Sequence, residues 1–391
     1  MRRLLQGDVG SGKTAGAACT ALMALESGFD VALMAPTEIL AGQHFRNFAA
    51  WFEPLGVQVE LRTGGKRTSN IQHPTPGVSN NASRITHHAS LTIGTHALLE
   101  SGFAPDRLGL VIIDEQHKFG VAQREELVRK GRYPHLLVMT ATPIPRTLGL
   151  TLYGDLDVSI IDELPAGRGS VKTLVRDADK LPQVWEFIRK RLSEGRQAFV
   201  VYPRVEEGGP TGLKAVTREF ENVTARLAPF RVGLLHGRLN GVEADAVLDA
   251  FRGNTVNVLL ATSLIEVGLD VPNATVMLVE NAETFGLAQL HQLRGRIGRG
   301  AHQSYCILIS DVKNPESRER LKVLEETSDG FRIAEADLRL RGPGELLGHQ
   351  QSGLPRFRFG DLANDLPLVE QAKRLATELL ADNRNREAVQ P

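Results

Sequence analysis

The chain is short of cysteine, of net charge and of long apolar runs, and each shortage removes a class of protein. Two cysteines, Cys19 and Cys306, serve 391 residues. They form no CxxC pair or Cys/His cluster, so neither a disulfide framework nor a zinc site is implied, and a reducing compartment, the cytoplasm, fits. Basic and acidic residues balance at 46 each. The balance argues against binding of nucleic acid by bulk charge, but does not exclude local clusters such as Arg294, Arg296 and Arg299. No apolar stretch approaches the ~18 residues of a membrane span. The polar Gln6-Gly7-Asp8 cuts the apolar start Leu4-Leu5 short of a signal peptide, so no membrane association is expected. What remains is 42% hydrophobic and 24% charged, an ordinary balance for packed domains. The length implies two or three of them at ~150 residues each.

Short apolar strands alternate with helical stretches, the pattern of parallel α/β sheets. Strands are expected at 31–35, 57–61, 91–94, 110–113 and 136–140, with helices between them such as 15–25 and 38–52. The pattern restarts after the Pro- and Gly-bearing segment 162–168. Strands are then expected at 171–175, 198–202, 232–235, 256–261, 275–279 and 305–309. Residues 64–90 break the rhythm and read as a long surface loop or disordered insertion. His73, His87 and His88 lie there without metal-ligand spacing and read as solvated.

Four segments carry chemistry. Gly7-Asp8-Val9-Gly10-Ser11-Gly12-Lys13-Thr14 matches G-x-x-x-x-G-K-[ST], the phosphate loop of ATP- and GTP-hydrolysing proteins. Its glycines let backbone N–H groups surround a polyphosphate, and Lys13 reaches the outer phosphates. Thr14 offers a hydroxyl to Mg²⁺ where a helix begins. Val111-Ile112-Ile113-Asp114-Glu115-Gln116-His117 ends an apolar strand in carboxylates. Asp114 suits a water-mediated hold on Mg²⁺ and Glu115 the polarising of an attacking water. Gln116 and His117 are expected near the γ-phosphate or a lobe interface. Thr140-Ala141-Thr142-Pro143, also at a strand end, can bridge a nucleotide site to another surface. In the second half, Gln292-Leu293-Arg294-Gly295-Arg296-Ile297-Gly298-Arg299 sets Arg296 and Arg299 three apart. On a helix they would share a face, whereas Gly298 points to a turn. Either form could present them across a cleft to charge developing in a transition state.

Together these segments resemble the superfamily 2 helicases and translocases over nearly the whole chain. Pro36-Thr37-Glu38-Ile39-Leu40 looks like motif Ia, Gly94-Thr95-His96 like Ib, and 114–117 like II. Thr140 to Thr142 looks like motif III, 261–272 with Gly268 and Asp270 like V, and 292–299 like VI. Three segments are similar to the RecG-type branched-DNA translocases: 114–121 with Gln123-Arg124; 140–147; and Asp337-Leu338-Arg339-Leu340-Arg341-Gly342-Pro343-Gly344-Glu345-Leu346-Leu347-Gly348 with Gln351-Ser352-Gly353. The last resembles a translocation motif shared with Mfd-type coupling translocases. Gln116 and the Arg-Gly-Pro-Gly run favour the RecG pattern.

The resemblance implies an α/β fold of two RecA-like parallel-sheet lobes in tandem, with a C-terminal helical hairpin and hook. The expected divisions are 1–163, 168–325 and 326–391. It implies ATP and Mg²⁺ as cofactors, with Gly7, Gly10, Ser11, Gly12, Lys13, Thr14, Asp114, Gly268 and Asp270 at the nucleotide, and Thr14 and Asp114 at the metal. Asp114, Glu115, Gln116, His117, Arg296 and Arg299 would serve hydrolysis. Pro36, Thr37, Glu38, Gly94, Thr95, His96, Thr140, Thr142, Arg341 and Gln351 would meet nucleic acid. The implied partners are double-stranded and branched DNA and a single-strand DNA-binding protein, met by a monomer. RecG-type proteins also carry an N-terminal wedge domain and adenine-holding segments, so this chain is expected to be their C-terminal helicase part. The rival expectations are an Mfd-type translocase with RNA polymerase as partner, and a remnant that binds nucleotide or DNA without turnover.

Overall fold

The computed structural model describes residues 1–64, 66–70, 89–142, 156–163, 165, 169–203, 210–237, 239, 241–262, 271–310, 315–341 and 366–381. Among these, no helix is long and apolar enough to cross a membrane.

Two sheets organise the chain. The first contains β1 (Arg2–Gly7), β2 (Asp30–Met34), β3 (Gln58–Thr63), β4 (Lys66–Ser69), β5 (Ser90–Gly94), β6 (Leu108–Ile113), β7 (His135–Thr140) and β8 (Asp157–Ile161). Their order is β4-β3-β5-β2-β6-β7-β1-β8. Every pairing is parallel except the β3–β4 hairpin, where Glu60 faces Ser69 and Thr63 faces Lys66. The second sheet contains β9 (Val171–Arg176), β10 (Gln197–Val201), β11 (Val232–Leu235), β12 (Val258–Ala261), β13 (Ala274–Val279) and β14 (Ser304–Ile309). It runs in the order β11-β12-β10-β13-β14-β9 and is parallel throughout.

The strands read as unbroken apolar runs because helices cover both faces of each sheet. In β2, Val31 and Leu33 enter one core with Phe48 and Leu25, while Ala32 and Met34 enter the opposite one with Leu98 and Leu4. In β13, Met277 and Val279 face Phe251, while Val276 and Leu278 face Ile188. The period-2 alternation thus separates two cores rather than core from solvent.

Two helices position the site. Helix α1 (Lys13–Glu26) follows β1 directly and buries Ala17, Ala18, Ala21 and Leu25. Helix α2 (Glu38–Phe52) begins at Thr37, whose hydroxyl accepts the N–H of Leu40 at 3.2 Å, the usual satisfaction of a first-turn donor. Its buried residues Leu40, His44, Phe48 and Phe52 recur every four positions, one face of a helix.

Part of the segment expected to be loop, 64–90, is ordered differently. Lys66–Ser69 forms β4, fixed by Arg67, which donates from Nε and Nη2 to Glu60 at 3.0 and 2.8 Å. The strand is polar because it lies at the sheet edge. His73, His87 and His88 lie outside the described residues.

Candidate active site between the two sheets

The phosphate loop joins β1 to α1 at the carboxyl edge of the first sheet. Its glycines have separate reasons. Gly10 and Gly12 adopt φ of 78° and 97°, in the left-handed region that side-chain-bearing residues avoid. Gly7 is limited by space, since a Cβ there would come within 2.5 Å of Ser11 Oγ and 3.0 Å of Ile161 O. Lys13 is 9% exposed, and its Nζ donates to the carbonyls of Gly7 and Asp8 at 2.8 Å each. Burial pulls its ammonium pKa below the usual value, against the opposing pull of Asp114, Glu115 and Asp8. Ser11 Oγ is buried with no hydrogen-bond partner among the described residues. Left-handed glycines, a helix N-terminus, a buried ammonium and an orphaned hydroxyl together fit a polyphosphate.

Beside the loop, β6 ends at Ile113 and delivers two buried carboxylates. Asp114 Oδ2 lies 2.7 Å from His44 Nε2, and its Oδ1 accepts the N–H of Glu115 at 2.9 Å. Burial, the largest influence, pushes the Asp114 pKa up, but His44, Lys13 and the Glu115 amide together bring it below the usual carboxylate value. Glu115 takes φ 49° and ψ 53°, left-handed at a non-glycine residue, at a cost of about 1–3 kcal/mol. That turn aims its Oε2 at the N–H of Ala141, 3.3 Å away. Burial and then the Asp114 charge raise the Glu115 pKa to about 7. Two adjacent carboxyls pushed in opposite directions can divide their labour, one holding a cation and one handling a proton.

The second sheet supplies the facing wall. Helix α3 (Leu287–Arg294) ends at Gly295, and Gly298, at φ 73°, turns the chain. A Cβ on Gly298 would lie 2.4 Å from Val171 Cγ2. Arg296 and Arg299 therefore stand beyond the helix, and the turn alternative is the observed one. Arg296 is 6% exposed, and its charge bears on both Lys13 and Glu115. Arg299 instead donates from Nε to the carbonyl of Gly295 at 3.2 Å.

Several contacts among the described residues close the seam. His291 Nε2 lies 2.5 Å from Asp8 Oδ1, and Gln292 Nε2 donates to Thr142 Oγ1 at 2.5 Å. Gly295 lies so near Val9 that a Cβ there would fall 2.6 Å from the valine's Cβ. The direction of the first bond follows from its neighbour. Arg294 Nη2 can only donate, and it lies 2.8 Å from His291 Nδ1, so Nδ1 accepts and Nε2 carries the proton given to Asp8. Arg294 further donates to the carbonyls of Leu324, Thr327 and Ser328 at 3.0, 2.9 and 3.2 Å. A continuous row of bonds thus runs from the phosphate loop to the end of α4 (Pro315–Glu326), just ahead of α5 (Gly330–Arg341).

The remaining expected residues are placed unevenly. Pro36 and Thr37 are half-buried and Glu38 is exposed just past β2, and Gly94, Thr95 and His96 stand at the end of the adjoining β5. Thr37's hydroxyl is used as the α2 cap. Thr140 is 1% exposed and its hydroxyl accepts the N–H of Thr142 at 3.1 Å, the residue that meets Gln292. Gln116 is buried and accepts from Arg124 Nη1 at 2.9 Å. For His117 and Arg341 only the backbone is described, and Gly268, Asp270 and Gln351 lie outside the described residues. Sequence reasoning left out His44, Asp8, Val9, His291 and Gly295 as site residues. Asp8 and Val9 occupy free positions of the loop pattern, and His44 hides on the apolar face of α2.

Residues 2–150 match the DEAD/DEAH box helicase family, 179–301 the helicase conserved C-terminal domain, and 327–390 the C-terminal part of domain 3 of the ATP-dependent DNA helicase RecG. The structure of S. cerevisiae Dbp5 bound to RNA and ADP BeF3 matches with TM-score 0.58 at 16% identity, over 96% of this chain and 89% of that one, a likeness of fold alone. Two parallel-sheet α/β lobes are the architecture of the RecA-like helicases that this chain resembles in structure. Over nearly its whole length the chain is similar to the RecG-type helicases. It is 50% identical over 389 residues to the ATP-dependent DNA helicase RecG of Synechocystis, covering 99% of this chain and 46% of that protein. It is 43% identical to RecG in a structure bound to a three-way DNA junction, with TM-score 0.71, over 95% of this chain and 47% of that one. These matches favour RecG over the Mfd-type alternative. The chain spans about half the length of the curated relatives it matches.

Proposed function

We propose that this chain is the ATP-driven motor of a RecG-type DNA helicase and translocase, acting on double-stranded and branched DNA in repair and recombination. The observation that carries the reading is Arg296, brought by the second lobe into a buried position where its charge bears on Lys13 and Glu115 of the first.

In this reading the polyphosphate of ATP lies in the loop, and Lys13 exchanges the Gly7 and Asp8 carbonyls for the outer phosphates. Mg²⁺, approached by Thr14 and Asp114, would neutralise phosphate charge. Ionised Glu115 orients a water and takes its proton as the water oxygen bonds to the γ-phosphorus and the bridge to ADP breaks. Arg296 meets the charge that spreads over the transferred group, which makes its contribution largest in the transition state. Motion then has a route, because the lobe contacts at Asp8, Val9 and Thr142 depend on the same loops.

DNA is assigned to Pro36, Thr37, Glu38, Gly94, Thr95 and His96, whose strands β2 and β5 are neighbours, with Arg341 and Gln351 contributing from the C-terminal element. We reassign Thr140 and Thr142 to the lobe seam. The proposed divisions are 1–163 and 168–325, with one sheet each, and 326–391, which contains the segment similar to RecG domain 3.

ATP turnover with and without forked duplex tests the assignment. The reading predicts DNA stimulation that Lys13→Ala abolishes, while Glu115→Gln retains nucleotide binding and loses turnover. Unchanged turnover in Lys13→Ala would overturn it.

A further inference from the structure

One buried side chain beside the carboxylates has no place in the scheme above. His44 is 4% exposed on α2, and its Nε2 lies 2.7 Å from Asp114 Oδ2. Its other nitrogen, Nδ1, is buried with no hydrogen-bond partner among the described residues. The ring meets Phe48 edge-on, with centroids 6.3 Å apart. Packing alone does not explain a histidine here. An apolar residue would fill the inward face of α2 without burying a polar atom that no described residue satisfies, which costs stability. The imidazole is explained by what Nε2 does. An ionised carboxylate only accepts, so Nε2 donates to Oδ2. With Oδ1 engaged by the Glu115 amide, both oxygens are tied, and rotation of the carboxylate about its last bond is stopped.

We propose that His44 is a positioning residue for the divalent cation, holding the Asp114 carboxylate in the orientation from which its remaining lone pairs meet a metal-bound water. The proposal rests on the reading of the site as a Mg²⁺–nucleotide site. Carboxylates that hold metals are commonly fixed by such outer partners, and losing one typically weakens metal affinity by about 10–100-fold. Asp114 acts through water here, so the lower end is expected. The arrangement also makes α2, which opens at Pro36-Thr37-Glu38, the element that sets the metal-side carboxylate.

The test is equilibrium binding of a fluorescent ADP analogue to the purified chain, titrated with Mg²⁺ and repeated in EDTA. His44→Phe keeps a ring on the helix face and removes the donor, and His44→Gln keeps an N–H at similar reach. The expected result is a Mg²⁺ midpoint about tenfold higher for His44→Phe, near wild type for His44→Gln, and unchanged ADP binding in EDTA for both. In an Asp114→Ala background, His44→Phe should add nothing further, which keeps the inference testable if the single variant folds poorly. A wild-type midpoint in His44→Phe would overturn it, as would equal shifts in the Phe and Gln variants or full additivity with Asp114→Ala. If the wild-type chain shows no Mg²⁺-dependent ADP binding, it is the nucleotide reading that fails.

Discussion

Replacing Gly295 with alanine is the smallest change that pushes the lobes apart without touching a charged group. The added Cβ would lie 2.6, 2.8 and 3.0 Å from Val9 Cβ, Cγ2 and Cγ1. Carbon atoms pack at about 3.5–4.0 Å, so the seam must open by roughly 1 Å. Val9 is 4% exposed in the phosphate loop and cannot retreat without moving that loop. Overpacking of this kind costs about 1–3 kcal/mol. If the cost falls on the closed, reactive arrangement, turnover drops by about 5–150-fold, since ~1.4 kcal/mol is tenfold. A comparable figure follows from misplacement, where about 1 Å at a reacting centre can cost ~10²-fold. Nucleotide affinity should change little, because the loop's own contacts are on one lobe. The assay is steady-state ATP turnover under DNA saturation, with nucleotide affinity measured separately. Val9→Ala, which removes both Cγ atoms, should be mild alone and should restore part of the loss in combination. Wild-type turnover in Gly295→Ala, or no recovery in the double variant, would refute the seam as drawn.

Other outcomes follow from the same geometry. Asp8→Ala and His291→Ala should each slow turnover, and the double variant should be little worse than either, with a coupling energy of about 1–3 kcal/mol in the cycle. Turnover should fall as pH drops through about 7, because Glu115 must be ionised to take a proton and its pKa is raised to about 7; a flat profile between pH 6 and 8 would count against that role. Glu280 lies just past β13 and near Glu219, Arg226 and Tyr202, and burial first, then Glu219, raises its pKa from 4.5 to about 7. A raised carboxyl favours the fold while neutral, so that stability is full below about pH 4.5 and lost as pH climbs through 7. Glu280→Gln should therefore raise the melting temperature at pH 8 and leave it nearly unchanged at pH 4.5, as read by thermal denaturation.

Much of this was legible in the sequence, and for identifiable reasons. Strands buried on both faces, such as Leu108–Ile113 and Val258–Ala261, leave unbroken apolar runs that no turn interrupts. The phosphate loop and the acidic end of β6 are local, so spacing alone brings their parts together. Polar edges were harder. Lys66-Arg67-Thr68-Ser69 becomes a strand only because β3 lies beside it, and the half-exposed Asp157–Ile161 only because β1 does. The seam was the least accessible. His291 and Asp8 are 283 residues apart, and nothing at either position announces the other. His44 lies on the buried face of α2, and its polar partner, Asp114, is 70 residues further along the chain.

The central claim is that the active site is composite, with Arg296 from the second lobe acting on phosphate held by the first. The most direct measurement is the pair of values, turnover and nucleotide affinity, for Arg296→Ala and Arg296→Lys in the presence of DNA. The account predicts a loss of turnover on the order of 10³-fold with nucleotide affinity within a few-fold of wild type, and no rescue by lysine, which lacks the planar fork. Equal losses in turnover and affinity, or full activity in the lysine variant, would contradict it.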